Sequence, residues 1–382
     1  MTVHALHADG QNARERLLSA LNACMDDLSL LARSDDVPGT FPTEALARLR
    51  AIGLLGAVLP VDEGGAGLGI DRQASMTLYH VLTRLGAAHL SLARLFEGHV
   101  NAFALLWHHG STAQRQRLMR YVRDGGLTGV WNAPAPEAPL RLLADGEHFR
   151  LSGSKIYASG AGIIQRPLLT ATTEDGKLLM IWCDVGRAVV DLSGWRVHGM
   201  RATATGTVKL DGVVVEPGQV FGADQDYHRQ PVFSGGAWRF VAAQLGAAGA
   251  LADLMKQNLV DARRDADPHQ RARLAEAVMR VETGRLWTQA AARMADDPAA
   301  TPADVVSYVG MARLVVEEVA TDVIQLAQRS IGLRALHQDH PVERICRDLA
   351  TYLKQPVPDA IRDAAGASAA AYQGAALDRW PS

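Results

Sequence analysis

Apolar positions in the first third of the chain fall at helical spacing. Leu17, Leu21 and Leu28 recur at near-turn intervals, as do Leu46, Leu49 and Ile52, which predicts amphipathic helices from residue 11 to about 125. Two longer apolar-rich stretches, around 70–84 and 89–109, predict long buried helices. The run Pro60-Val61-Asp62-Glu63-Gly64-Gly65-Ala66-Gly67 interrupts them as a glycine-rich loop. From about 127 to 222 the period shortens to alternation. His148–Ser152, Leu178–Trp182, Thr207–Leu210 and Val213–Val215 read as short strands, separated by Asp145-Gly146, Asp175-Gly176 and Asp211-Gly212 turns, the texture of antiparallel β structure.

Helical spacing returns at about 235. Asp267-Pro268 and Thr301-Pro302 each place a capping side chain before a proline suited to the first helical position, and Asp304 adds an acid to the first turn. Val305, Val309, Ala312, Val316, Val319, Val323 and Leu326 then hold one apolar face, the pattern of a bundle core. The predicted fold is α+β, mostly α: a helical region over 1–126, an antiparallel β region over 127–228 and a helical bundle over 229–382. That order alone names no function.

Composition narrows the classes. A chain of 382 residues is long enough for two or three units around a large shared core. The net charge of −2 carries no footprint for nucleic acid. Cys24, Cys183 and Cys346 are far apart and match no metal spacing, so no metal is expected and the thiols read as reduced. No apolar run approaches the roughly 18 residues of a membrane span, and the N-terminus lacks a secretory pattern. A cytoplasmic protein without membrane partners is expected.

Four segments carry more. They are LGAVLPVDEGGAGLG (55–69), GSKIYASGAG (153–162), GMRATATGTVKLDGVVVEPGQVFG (199–222) and HPVERICRD (340–348). In this order they resemble the signatures of the acyl-CoA dehydrogenase superfamily, and the resemblance covers nearly the whole chain. It implies an N-terminal helical domain, a middle β domain and a C-terminal four-helix bundle. It also implies FAD between the β domain and the bundle, and a homodimer or homotetramer in which a neighbouring subunit contributes.

By that resemblance Ser159 falls on a Thr that meets the flavin and Tyr157 on a Trp that packs against its ring. Trp131 and Asn132 stand where the family's "TEPxxGSD" segment is missing, placed to pack on and hydrogen-bond the ring. The pyrophosphate segments also depart. Arg263-Arg264-Asp265-Ala266-Asp267-Pro268 lacks Gln-Phe-Gly, and Arg329-Ser330-Ile331-Gly332 keeps one Gly with Arg in the Gln position. Arg264, Arg329, Ser330 and Gly332 remain the candidates for phosphate, and FMN or reduced flavin stands as the alternative to FAD.

The catalytic residue is unknown. The position of the family's Glu holds Pro356, and the other known base position holds Trp238. Nearby substitutes are His337, Asp339, His340, Glu343 and Asp359. Glu343 and Asp348 fit ion pairs with Arg344 or Arg347, and Asp359 fits a helix N-cap. Three functions follow. One is an oxidoreductase acting on a small molecule such as an acyl-CoA or other thioester through a relocated base. Another is a monooxygenase or oxidase using reduced flavin and oxygen, which needs no such base. The third is an inactive flavin-binding scaffold.

Overall fold

The computed structural model describes residues 3–37 and 40–380, with side chains from residue 9 onward. Six helices come first: α1 (Val3–Ala23), α2 (Met25–Ser34), α3 (Thr43–Ala51), α4 (Ser75–Ala88), α5 (Leu90–His109) and α6 (Thr112–Arg123). The apolar runs that predicted α4 and α5 become their buried faces. Short polar caps set their ends: His89 accepts from the Leu92 N–H at the start of α5, and Ser111 and Gln114 form a reciprocal capping box at α6.

Ten strands follow: β1 (Val130–Trp131), β2 (Arg141–Asp145), β3 (His148–Ser152), β4 (Ser154–Ala158), β5 (Leu168–Thr173), β6 (Leu178–Trp182), β7 (Val189–Asp191), β8 (Gly206–Lys209), β9 (Val214–Val215) and β10 (Val220–Phe221). A seven-stranded sheet runs β10-β6-β5-β2-β3-β9 with β1 also on β5, beside a three-stranded sheet β4-β8-β7. Most ladders are antiparallel, but β1 and β2 lie parallel to β5 on successive stretches of it. Alternation along a strand fixes its faces, not the direction of its neighbour, so the pattern did not carry these two pairings.

The bundle comprises α7 (Val232–Gly235), α8 (Trp238–Asp261), α9 (Pro268–Ala295), α10 (Pro302–Ile331), α11 (Pro341–Tyr352) and α12 (Pro358–Ala371). Asp267 caps α9 by accepting from the His269 N–H at 2.9 Å, and Thr301 caps α10 by accepting from the Asp304 N–H at 3.2 Å. The whole apolar stripe from Val305 to Leu326 is buried. Asp359 is not the cap of α12. Proline at the first helical position shifts the N-cap back to Val357, in left-handed backbone at φ 56°, and leaves Asp359 in the first turn.

The N-terminal helices and the bundle meet at a crossing without side chains between them. A Cβ on Gly86 of α4 would stand 2.0 Å from the Ala243 carbonyl oxygen of α8, and one on Gly246 of α8 would stand 2.0 Å from that of Thr83. Any larger residue there wedges the two helices apart. Segment 340–348 supplies a second joint. Arg347 pairs with Glu343 on its own helix and with Asp36 of the N-terminal region at 2.6 Å, and donates to the His198 carbonyl at 2.6 Å. Asp348 accepts from the Met200 N–H at 2.6 Å and pairs with Arg344 at 3.3 Å. The most recognisable motif of the sequence thus clamps three regions together. No described helix is long and apolar enough to cross a membrane.

Candidate flavin and substrate cavity

Where the three regions meet they enclose a cavity of about 1620 Å³. Its β wall includes Asn132 after β1, Tyr157 near the end of β4, Ser159, Trp195, Thr203 and Thr205, with Arg196 and His198 beside them. Tyr157 takes left-handed backbone at φ 53°, lies exposed, and meets the Trp195 ring edge-on at 6.4 Å between centroids. A line of hydroxyls runs behind this face. Thr205 Oγ1 donates to Ser159 Oγ at 3.1 Å and lies 2.7 Å from Thr203 Oγ1, which reaches the Met200 carbonyl at 2.8 Å. That carbonyl also accepts from the Trp195 indole N–H at 3.1 Å.

Beneath Asn132 lies a buried lysine. Lys155 Nζ donates to the Asn132 carbonyl at 2.9 Å and to Thr170 Oγ1 at 3.1 Å, while Thr170 donates to Asn132 Oδ1. With its carbonyl and its amide oxygen so engaged, Asn132, which lines the cavity, keeps its NH₂ as a donor. Burial without a carboxylate partner pushes the Lys155 ammonium down to about 8.

The opposite wall is made by α5 and the bundle, with long charged side chains. Glu97 of α5 is fully buried and accepts from Arg94, from Asn101 and, at 3.0 Å, from the Tyr352 hydroxyl. Asn101 in turn accepts from Arg239 Nη1 of α8 at 2.7 Å, and Arg239 Nη2 donates to the Gly69 carbonyl at 3.3 Å. Arg313 of α10 stacks over Phe240 and donates to the Pro356 carbonyl at 3.0 Å. Ser307 Oγ, also on α10, is buried without a partner. Six basic side chains (Arg94, Arg196, Arg239, Arg313, Arg347, Lys354) face the cavity against two carboxylates, Glu97 and Glu343.

The structure brings Asn132, Tyr157 and Ser159 together on the β wall, whereas the remaining candidates lie elsewhere. Trp131 is a core residue, and its indole N–H donates inward to the Ser159 carbonyl at 2.8 Å. It supports the wall without facing the cavity. Ser330 is buried between α9 and α10, its hydroxyl donating to Gln270 at 2.7 Å, so it offers no phosphate a partner. Gly332 ends α10 at φ 78°. Arg264 and Arg329 are exposed, Arg264 beside Asp267 at 3.7 Å. None of these four lines the cavity of this copy.

Of the substitute bases, Glu343 alone lines the cavity, and Arg347 holds both its oxygens. His340 is the N-cap of α11, accepting from the Val342 N–H at 3.3 Å. Trp238 turns into the core. The charged cluster escaped the sequence reading. Its trace was Arg94, Glu97 and Asn101 at helical spacing inside the otherwise apolar α5.

The β wall fits a flavin. It offers a flat face, a donor amide and a hydroxyl, all uncharged, and the unpartnered Ser307 stands across from it. Basic side chains among the lining suit a phosphate. Fold and cavity together define a flavin-dependent oxidoreductase. Residues 18–125 match the N-terminal domain of acyl-CoA dehydrogenase and residues 239–354 match its C-terminal domain, so the chain belongs to the acyl-CoA dehydrogenase superfamily.

The chain is 25% identical over 372 residues to the putative acyl-CoA dehydrogenase YdbM of Bacillus subtilis, covering 91% of this chain and 95% of that protein. It is 27% identical over 366 residues to L-evernosamine nitrososynthase of a Micromonospora species, covering 88% and 85%. It superposes on the dibenzothiophene monooxygenase TdsC of Paenibacillus with a TM-score of 0.82 at 21% identity, covering 96% and 98%; that protein has also been solved with FMN bound.

Proposed function

We propose that this chain is a flavin-dependent monooxygenase that oxidises a small molecule with reduced flavin and dioxygen. The two positions where an α-proton base would stand carry this reading. Pro356 faces the cavity without a titratable group, and Trp238 is buried in the core. Proton abstraction needs a carboxylate with a free lone pair within hydrogen-bond reach of carbon. Glu97 and Glu343, the carboxylates of the lining, are both engaged by arginine. Oxygen transfer makes no such demand.

Bound reduced flavin supplies the electrons that activate dioxygen. Ser159 and Asn132 orient its ring, Tyr157 and Trp195 flank it, and apolar side chains such as Phe240, Val306 and Ile324 keep water from the reacting face. FMN is the favoured form, as in the FMN-bound structure of TdsC, and within one copy Arg264, Arg329, Ser330 and Gly332 lie away from the cavity. Two of the relatives bear the names nitrososynthase and monooxygenase, which supports the reading. We infer further that copies associate through the outer face of α9, where Val278, Met279 and Leu286 lie exposed, and that the protein works in the cytoplasm.

The test compares FMN and FAD retention, then treats the flavin-loaded protein anaerobically with a panel of acyl-CoAs. No bleaching is expected, and ¹⁸O from labelled dioxygen should enter product only when reduced flavin is supplied. Anaerobic bleaching by a thioester would restore the dehydrogenase reading, in which an acyl-CoA is the substrate.

A further inference from the structure

The cluster on the α5–bundle wall has an imbalance of charge. Arg94 and Arg239 bring two cations to one carboxylate, Glu97. Arg94 contacts Glu97 directly, whereas Arg239 reaches it only through Asn101. Arg239 is 8% exposed, and among the described residues no carboxylate pairs with it. Asp296 and Glu97 act on it only at longer range. Of its five N–H donors, one goes to Asn101 and one to the Gly69 carbonyl, while Nε is buried without a partner. A guanidinium held out of water costs several kcal/mol unless an anion accompanies it. Here the remaining donors belong to a side chain that lines the cavity.

We propose that the substrate carries an oxyanion, such as a carboxylate or a sulfinate, and that Arg239 is the residue that binds it. The proposal rests on the cavity being the site of flavin-dependent oxidation and names the substrate class for that site. A planar two-oxygen anion matches the fork of a guanidinium, and a single negative charge balances the cluster. The flavin phosphate is the other oxyanion that could seek the same side chain. The β wall and further basic residues of the lining, Arg196 and Lys354 among them, provide for it separately, so Arg239 is assigned to the substrate.

Calorimetric titration of the FMN-loaded and flavin-stripped protein with matched probes tests this: butyrate against butyramide, and benzoate against benzamide. Each acid should bind about tenfold or more tighter than its amide. Arg239→Met should erase that preference, and Arg239→Lys should keep part of it. Glu97→Gln, which leaves the cluster's cations in greater excess, should tighten the acids alone and supports the test if Arg239→Met does not fold. Acids and amides binding alike, or a preference that survives Arg239→Met, would overturn the assignment. So would Arg239→Met weakening FMN but not riboflavin, which would give Arg239 to the flavin phosphate. Acid preference in a protein that never binds flavin leaves this assignment standing and removes the monooxygenase reading. Oxygen-dependent turnover without acid preference does the reverse.

Discussion

The two walls of the cavity solve the burial of polar groups differently. The part of the β wall built from Asn132, Ser159, Thr203 and Thr205 uses short side chains and backbone: hydroxyls, one amide and an indole N–H anchored on a carbonyl, with the Lys155 ammonium hidden behind it and Arg196 and His198 further along the same wall. Most of these groups are satisfied by a near neighbour, and this part of the cavity meets an uncharged surface. The α5–bundle wall instead uses long charged side chains drawn from α5, α8 and α11, joined across long sequence distances. A ring common to many substrates needs the first kind of surface. A particular substrate needs the second, where charge and shape discriminate.

The sharpest way to break the contrast is to remove the hub of the charged wall. Glu97→Ala strands Arg94, Asn101 and the Tyr352 hydroxyl in a buried site, and a loss of about 3–5 kcal/mol in urea unfolding is expected. The β wall has its own ionisable group, and pH exposes it. Lys155 titrates at about 8 when folded against an ordinary 10.5. Between those values the unfolded chain holds more protons, so stability should rise with pH across that window, by about 2–3 kcal/mol at its upper end. The rise should be absent in Lys155→Met, read as the difference between the two urea midpoints at pH 7.5 and pH 10.

Smaller effects separate support from contact. Trp131→Phe leaves the Ser159 carbonyl without its donor and should cost about 1–2 kcal/mol, weakening flavin binding as a consequence. Thr205→Val keeps the shape but cuts the hydroxyl line behind Ser159. It should cost about 1 kcal/mol in urea unfolding while lowering flavin affinity several-fold by fluorescence titration. If Thr205→Val proves as damaging to stability as Glu97→Ala, the two walls do not differ as described.

The fold was legible because its signals are local. Asp267 and Thr301 announce the helix starts that they cap, and the stripe from Val305 to Leu326 is buried as its spacing predicts. The β wall was partly legible, since Tyr157 and Ser159 sit within one short glycine-bounded segment. Trp131 shows the limit: adjacent strand residues face opposite ways, and which of Trp131 and Asn132 meets the cavity depends on pairing with β5 that the local pattern does not contain. The charged wall was least legible. Arg239 and Asn101 lie 138 positions apart, Tyr352 and Glu97 lie 255 apart, and no local pattern joins them. Long range also hides what Ser330 does within one copy: its hydroxyl meets Gln270, sixty residues earlier.

The hydroxyls of Thr203, Thr205 and Ser159 have a consequence of their own. The Met200 carbonyl is already served by Trp195, so Thr203 is not bound to donate there. The three protons can therefore run in either direction along the line. In one polarity Ser159 offers its proton to the cavity; in the other it offers a lone pair. A flavin nitrogen that accepts when oxidised and donates when reduced would meet a partner that reverses with it. Only hydroxyl rotors would need to turn, so the same wall would serve both ends of a redox cycle.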